Sequence, residues 1–193
     1  FQAYGISIFA FMTIGYSPFM LWRNAVSLCT QAIRSNTALL HHRNLRPLDF
    51  YAARLILEIV GVTTSFVAIL IVLIITGLAP MPKNIPLMLW AWLLFVWFAI
   101  GFGMTMGPLL SHFEILSILW RPISMGLMMA SGVFFFLAWL PIQLREILLW
   151  LPMIHGSEMM KNGYFGNLIT TYYDPYYFAL CNLILTFTGI MLS

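Results

Sequence analysis

The chain alternates long uncharged apolar stretches with short polar clusters. Five windows carry no Asp, Glu, Lys or Arg: residues 1–22, 59–82, 84–113, 122–143 and 175–193. Crossing a hydrocarbon core of about 30 Å takes about 20 helical residues, and charged side chains are costly at its centre, so these windows measure the membrane. Trimmed at Pro, Gly and polar clusters, they predict helical spans over residues 56–78, 86–107, 123–140 and 176–193. A further span lies between residues 6 and 33, and Tyr16-Ser17-Pro18 suits a helix starting near Pro18, since proline is tolerated in a first turn. The pattern predicts an all-α, polytopic membrane protein with about five visible transmembrane helices.

Orientation follows from the loops. Residues 34–54 carry Arg34, Arg43, Arg46 and Arg54 against Asp49, and the next loop has only Lys83. The positive-inside rule therefore puts residues 34–54 in the cytoplasm. The first visible helix then starts outside, and the chain opens with Phe1. We expect an earlier helix, six spans in the complete protein, and a single transmembrane domain over residues 1–193 that is incomplete at its N-terminus.

Residues 141–175 break the spanning pattern. The apolar run 147–154 is interrupted by Pro152 and flanked by Arg145, Glu146, Glu158 and Lys161, so it is too short to cross. It is expected on the outer, periplasmic face as two short interfacial or re-entrant helices, turning at Leu151-Pro152 and reversing at Gly156, with Glu158 and Lys161 at the surface. Trp139, Trp150, Tyr164, Phe165 and Tyr172 cluster around it, either as a headgroup-level aromatic belt or as platforms for sugar rings.

Composition sharpens the picture. The chain is 62% hydrophobic and 8% charged, against roughly 25% charged in soluble domains. A nucleic-acid-binding module, a disordered tail and a secreted disulfide scaffold are excluded. Cys29 and Cys181 both lie in apolar stretches, so no disulfide is expected.

In the first helix Asn24, Ser27, Gln31 and Arg34 are spaced three, four and three apart and fall within about 80° of one another, with Arg23 at the margin. Such a stripe faces a wet path, or makes interhelical hydrogen bonds, or snorkels at the helix end. Arg54 and Glu58 have the spacing of an ion pair. Gly103/Gly107 and Gly126/Ala130 have the spacing of close helix crossings. His155-x-x-Glu158 and His41-His42 lack further ligands at metal spacing, so no metal site and no catalytic residue is assigned. No Walker A loop occurs, so energy for uphill transport has to come from a partner.

Several short motifs carry a family resemblance. They are Gly15-Tyr16-Ser17-Pro18 with Trp22-Arg23-Asn24, the stretch NTALLHHRNLRPLDFYAAR at residues 36–54, and Ser131-Gly132-Val133-Phe134-Phe135. Leu140-Pro141 follows, then Pro152-Met153-Ile154-His155, Glu158 and Gly163-Tyr164-Phe165. In order and spacing they resemble the type-2 ABC exporter permeases, within them the capsular polysaccharide export permeases of Gram-negative bacteria. Leu151 and Lys161 stand where that family often has Asn and Arg.

The resemblance implies a permease of the bacterial inner membrane, not an enzyme. It would dimerise with itself and bind two copies of an ATP-binding subunit that holds the ATP and Mg, with no cofactor in this chain. The cargo would be a lipid-anchored acidic polysaccharide moving from cytoplasm to periplasm, with a periplasmic co-polymerase and an outer-membrane exporter beyond. Alternatives are an O-antigen, teichoic acid or drug exporter of the same fold, or an intramembrane glycolipid-modifying enzyme. The resemblance makes residues 34–54 a coupling loop, with Asn36, Leu39, Leu40, His41, His42, Arg43 and Arg46 docking on the ATPase. Substrate-path candidates are Arg23, Asn24, Ser27, Gln31, Arg34, Trp139, Tyr164 and Phe165. Exit-gate candidates are Arg145, Trp150, Pro152, Met153, His155 and Glu158.

Overall fold

The computed structural model describes the backbone of residues 6–42 and 47–192, and the side chains of those residues except 33–42, 47–50 and 167. The described residues form α-helices and short 3₁₀ turns without strands. In chain order the helices are α1 (Ile8–His42), α2 (Pro47–Ile75), α3 (Ile85–His112), α4 (Glu114–Ala130), α5 (Ile142–Leu148), α6 (Pro152–Phe165) and α7 (Pro175–Leu192).

Among the described residues three helices are long and apolar enough to cross a membrane: Tyr51–Ile75 within α2, then α3 and α7. They match the apolar windows because an uninterrupted run of such residues can hide its backbone from lipid only as helix. The other two expected spans correspond to α1 and α4, and both differ from expectation.

Helix α1 does not begin near Pro18. It starts at Ile8 and runs through Pro18 for 35 residues, about 52 Å at 1.5 Å per residue, so it outreaches the hydrocarbon core. Pro18 removes one helical donor, but a helix packed inside protein tolerates that loss. Gly15, three residues earlier, lies against the backbone of Val133, where an added Cβ would come within 2.7 Å of the carbonyl oxygen. The Gly15–Pro18 motif therefore seats a crossing segment and does not start a helix.

Helix α4 spans Glu114–Ala130, not residues 123–140. It ends where Ser131 returns its N–H to the Leu127 carbonyl and Gly132 takes φ 76°, a left-handed conformation that glycine adopts without a Cβ penalty. Residues 131–136 then run without helix to a 3₁₀ turn at Leu137–Trp139.

Helix α3 is the hub, packed on α1, α7 and α6. Gly107 meets Cys29 of α1 so closely that a Cβ would lie 2.6 Å from the Cys29 Cβ, and Gly103 faces Ala25 one turn away. Small residues let the α1 and α3 backbones approach where lipid supplies no hydrophobic drive. Among the described residues Gly126 has nothing within 4 Å and makes no such crossing. Helix α7 is pinned to α3 by Asn182 donating to the Leu94 carbonyl (3.0 Å) and Thr105 donating to the Leu185 carbonyl (2.8 Å). Both cysteines are free. The expected Arg54–Glu58 ion pair does not form among the described residues. Asn24 of α1 donates to Glu58 at 2.7 Å instead, because the amide across the helix contact lies nearer than a guanidinium one turn back.

Candidate functional site

Helices α5 and α6 have 7 and 14 residues, about 10 and 21 Å, too short to span. The chain breaks between them at Leu151, which is extended (φ −83°, ψ 117°), and Pro152 opens α6 as its first residue. Proline disfavours helix in the residue before it and loses nothing at a helix start, so the break falls where both rules put it. Gly156 does not reverse the chain. It sits inside α6, where a Cβ would lie 2.6 Å from the Phe178 ring and 2.8 Å from the Phe95 ring, so it lets α6 sink between α3 and α7.

The charges of α6 are the main departure from expectation. Glu158 and Lys161 are not at the surface but 1% and 0% exposed, joined by a 3.1 Å ion pair. The ammonium has three donors, and all are used: Glu158 Oε1, the Gly132 carbonyl (2.7 Å) and the Phe135 carbonyl (2.6 Å). Glu158 Oε1 also accepts from the Leu137 N–H at 3.3 Å, and the rings of Phe11 and Phe136 flank the ammonium at 5.5 and 5.0 Å. The pair therefore clamps the non-helical segment after α4 onto α6. Two signals in the sequence point to it: opposite charges three apart share a helix face, and a Ser-Gly break leaves carbonyls without helical partners.

His155 ties the turn to α7. Its Nε2 donates to the Leu149 carbonyl at 2.8 Å and its Nδ1 accepts from the Asp174 N–H at 2.9 Å, a pattern that defines the neutral tautomer. Burial holds its pKa below the ordinary 6.5, against the raising effects of the Leu149 carbonyl and the Asp174 and Glu158 carboxyls. Asp174 caps α7 by accepting from the Tyr176 and Tyr177 N–H groups, and Tyr177 donates to the Trp150 carbonyl at 2.9 Å. His155 and Glu158 are thus engaged with protein partners, and they join different elements.

The remaining gate candidates separate by exposure. Trp150 stands at the apex, 79% exposed, and the Arg145 guanidinium lies 4.2 Å from the Tyr172 ring centroid, a cation–π pair. Pro152 is half-buried and Met153 is buried, so Met153 cannot present itself to a second copy and Trp150 is the forward residue.

The path candidates also divide. Ser27 and Gln31 are exposed on one face of α1, with Gln31 donating to Ser27 at 3.3 Å, while Arg23 lies over the Phe19 ring. Asn24 turns toward α2 and Glu58. Arg34 falls in α1, but its side chain lies outside the described residues. Trp139 is partly exposed against Phe11 and Phe136. Tyr164 and Phe165 are not exposed. Both are buried in the core, with the Tyr164 hydroxyl donating to the Pro80 carbonyl, because α6 is a core helix and not a surface hairpin.

The stretch read as a loop over residues 34–54 is mostly helix, with α1 continuing to His42 and α2 resuming at Pro47. Ala38, Leu39 and Leu40 favour helix, and no glycine or proline interrupts before Pro47. Asn36, Leu39, Leu40, His41 and His42 occupy the last turns of α1, with side chains outside the described residues. Arg43 and Arg46 lie outside them altogether.

Long apolar helices around α3, with α6 sunk among them and α5 left exposed beside it, define a polytopic helical permease. The family model for the ABC-2 type transporter matches residues 1–165, and the chain belongs to that family. It is 45% identical over 185 residues to the capsule polysaccharide export inner-membrane protein CtrC of Neisseria meningitidis serogroup A, covering 96% of this chain and 70% of that protein. It is 36% identical over 187 residues to the capsule polysaccharide export inner-membrane protein BexB of Haemophilus influenzae, covering 97% and 71%. It is 26% identical over 191 residues to the polysialic acid transport protein KpsM of Escherichia coli, covering 97% and 72%. The chain is a transporter component of the inner membrane.

Proposed function

We propose that this chain is the membrane permease through which a capsular polysaccharide is exported from the cytoplasm, powered by a separate ATP-binding subunit. The observation that carries this reading is the 45% identity, over nearly the whole chain, to a protein named for capsule polysaccharide export. The finer picture has the chain as a homodimer holding two ATP-binding subunits on the segment around Asn36–Arg46. A lipid-anchored acidic glycan leaves past the α5–α6 turn toward a periplasmic co-polymerase and an outer-membrane exporter. The exposed Trp150 and the Arg145–Tyr172 pair support a glycan exit, since rings and a guanidinium suit acidic sugars.

The test is complementation. A capsulated strain lacking its own permease gene should regain surface polysaccharide when it expresses the protein with its ATP-binding partner. If polymer stays inside the cell while the permease is inserted and bound to the partner, the reading is wrong.

A further inference from the structure

Between α1 and α2 lies a cavity of about 410 Å³, within the roughly 300–1,000 Å³ range of small-molecule sites. Tyr16, Ser17, Asn24, Glu58, Ser65 and Phe66 are among its lining residues. Its α2 wall is one helical face, because Glu58, Gly61, Ser65 and Phe66 recur at helical spacing. Glu58 sits within the apolar span Tyr51–Ile75, whose mean hydropathy reaches 2.5 over 18 residues, and a carboxyl inside such a span marks a cavity or path.

The polar groups of this cavity are left with spare capacity. Asn24 Nδ2 donates to Glu58 Oε1 at 2.7 Å and fixes the carboxyl. Among the described residues Glu58 has no other partner, and the Tyr16 hydroxyl, the Ser17 hydroxyl and Asn24 Oδ1 have none. Ser65 spends its proton on the Gly61 carbonyl at 2.8 Å and retains acceptor lone pairs. Among the described residues the lining contains no Lys, Arg or His. An anion entering here would meet carboxyl and amide oxygens without a cation to balance it. A sugar hydroxyl can donate to Glu58 Oε2 and Asn24 Oδ1 and accept from Tyr16 and Ser17, and the 43% exposed Tyr16 ring offers a face for the C–H side of the sugar.

We infer that this cavity is a subsite for an uncharged, hydroxyl-bearing sugar unit of the transported glycan, an inference that rests on the export function proposed above. Glu58 is its recognition residue and Asn24 the positioning residue that orients it.

The test uses the permease with its ATP-binding partner in nanodiscs of phosphatidylethanolamine and phosphatidylglycerol. Two probes share a dodecyl chain and a head-proximal diazirine, one a dodecyl glucoside and the other a dodecyl phosphate. The glucoside should label peptides containing residues 16–24 and 58–66 roughly tenfold more than the phosphate, as two added neutral hydrogen bonds would give. E58A should remove that preference. S65F should fill the cavity and abolish labelling, and L57F, on the 70% exposed outer face of α2, should leave labelling unchanged. Equal labelling by the two probes, absence of labelling by both, or undiminished labelling in S65F overturns the subsite. Capsule export by the wild-type protein is measured in parallel. If export is normal and the headgroup preference is absent, this inference alone fails; if the wild type exports nothing, the export reading fails.

Discussion

Replacing Lys161 with Met tests the clamp, because it keeps the apolar stem of the side chain and deletes the ammonium with its three hydrogen bonds. Glu158 is then left buried without its counter-charge, keeping only the Leu137 N–H, and the Gly132 and Phe135 carbonyls lose their donor. Removing one partner of a buried ion pair costs about 3–5 kcal/mol. At roughly 2–4 °C per kcal/mol for a chain of this size, the melting temperature should fall by roughly 6–20 °C. Adding E158L to K161M relieves the orphan carboxyl but leaves both carbonyls and the Leu137 N–H unpaired, so the double variant should recover only part of the loss and remain about 1–3 kcal/mol below wild type. Cys29 is a built-in reporter, since it is fully buried and free. In a C181S background, a thiol-reactive dye signals unfolding by reaching it. If K161M melts within about 2 °C of wild type, or if the double variant is less stable than the single, the ion pair does not hold the segment after α4.

Three further outcomes follow from the geometry. His155 has a pKa held below 6.5 by burial, so its contribution to stability is present above pH 6.5 and lost as pH falls through the lowered folded value; melting temperature should drop on acidification more steeply in wild type than in H155Q. G107V should force α1 away from α3 at Cys29 and cost about 1–3 kcal/mol by overpacking, whereas G126V, with nothing within 4 Å, should melt like wild type. Replacing Leu39 and Leu40 together with Asp should abolish co-purification of the ATP-binding partner while membrane insertion, read by protease protection, is retained; continued co-purification would remove coupling from this part of α1.

By itself the sequence determined three of the long apolar helices, α2, α3 and α7, and where the short helix pair breaks. The apolar runs of α2, α3 and α7 have one way to satisfy their backbone in lipid, and Pro152 has one place in a helix that costs nothing. The Gly103–Gly107 spacing likewise announced a close crossing, although not that its partner was α1. Only the tertiary structure decided where the interior charges lie. Charge marks the membrane edge for a side chain that faces lipid, and that rule sent Glu158 and Lys161 to the surface. Within the protein an ammonium can find carbonyls that no helix uses, and those at Gly132 and Phe135 become its partners only when the segment after α4 folds across α6. The same dependence moved Pro18 into the interior of α1 and ended α4 at Ala130. In both places the local residues permit more than one backbone, and the segment that packs against Gly15 and Lys161 selects between them.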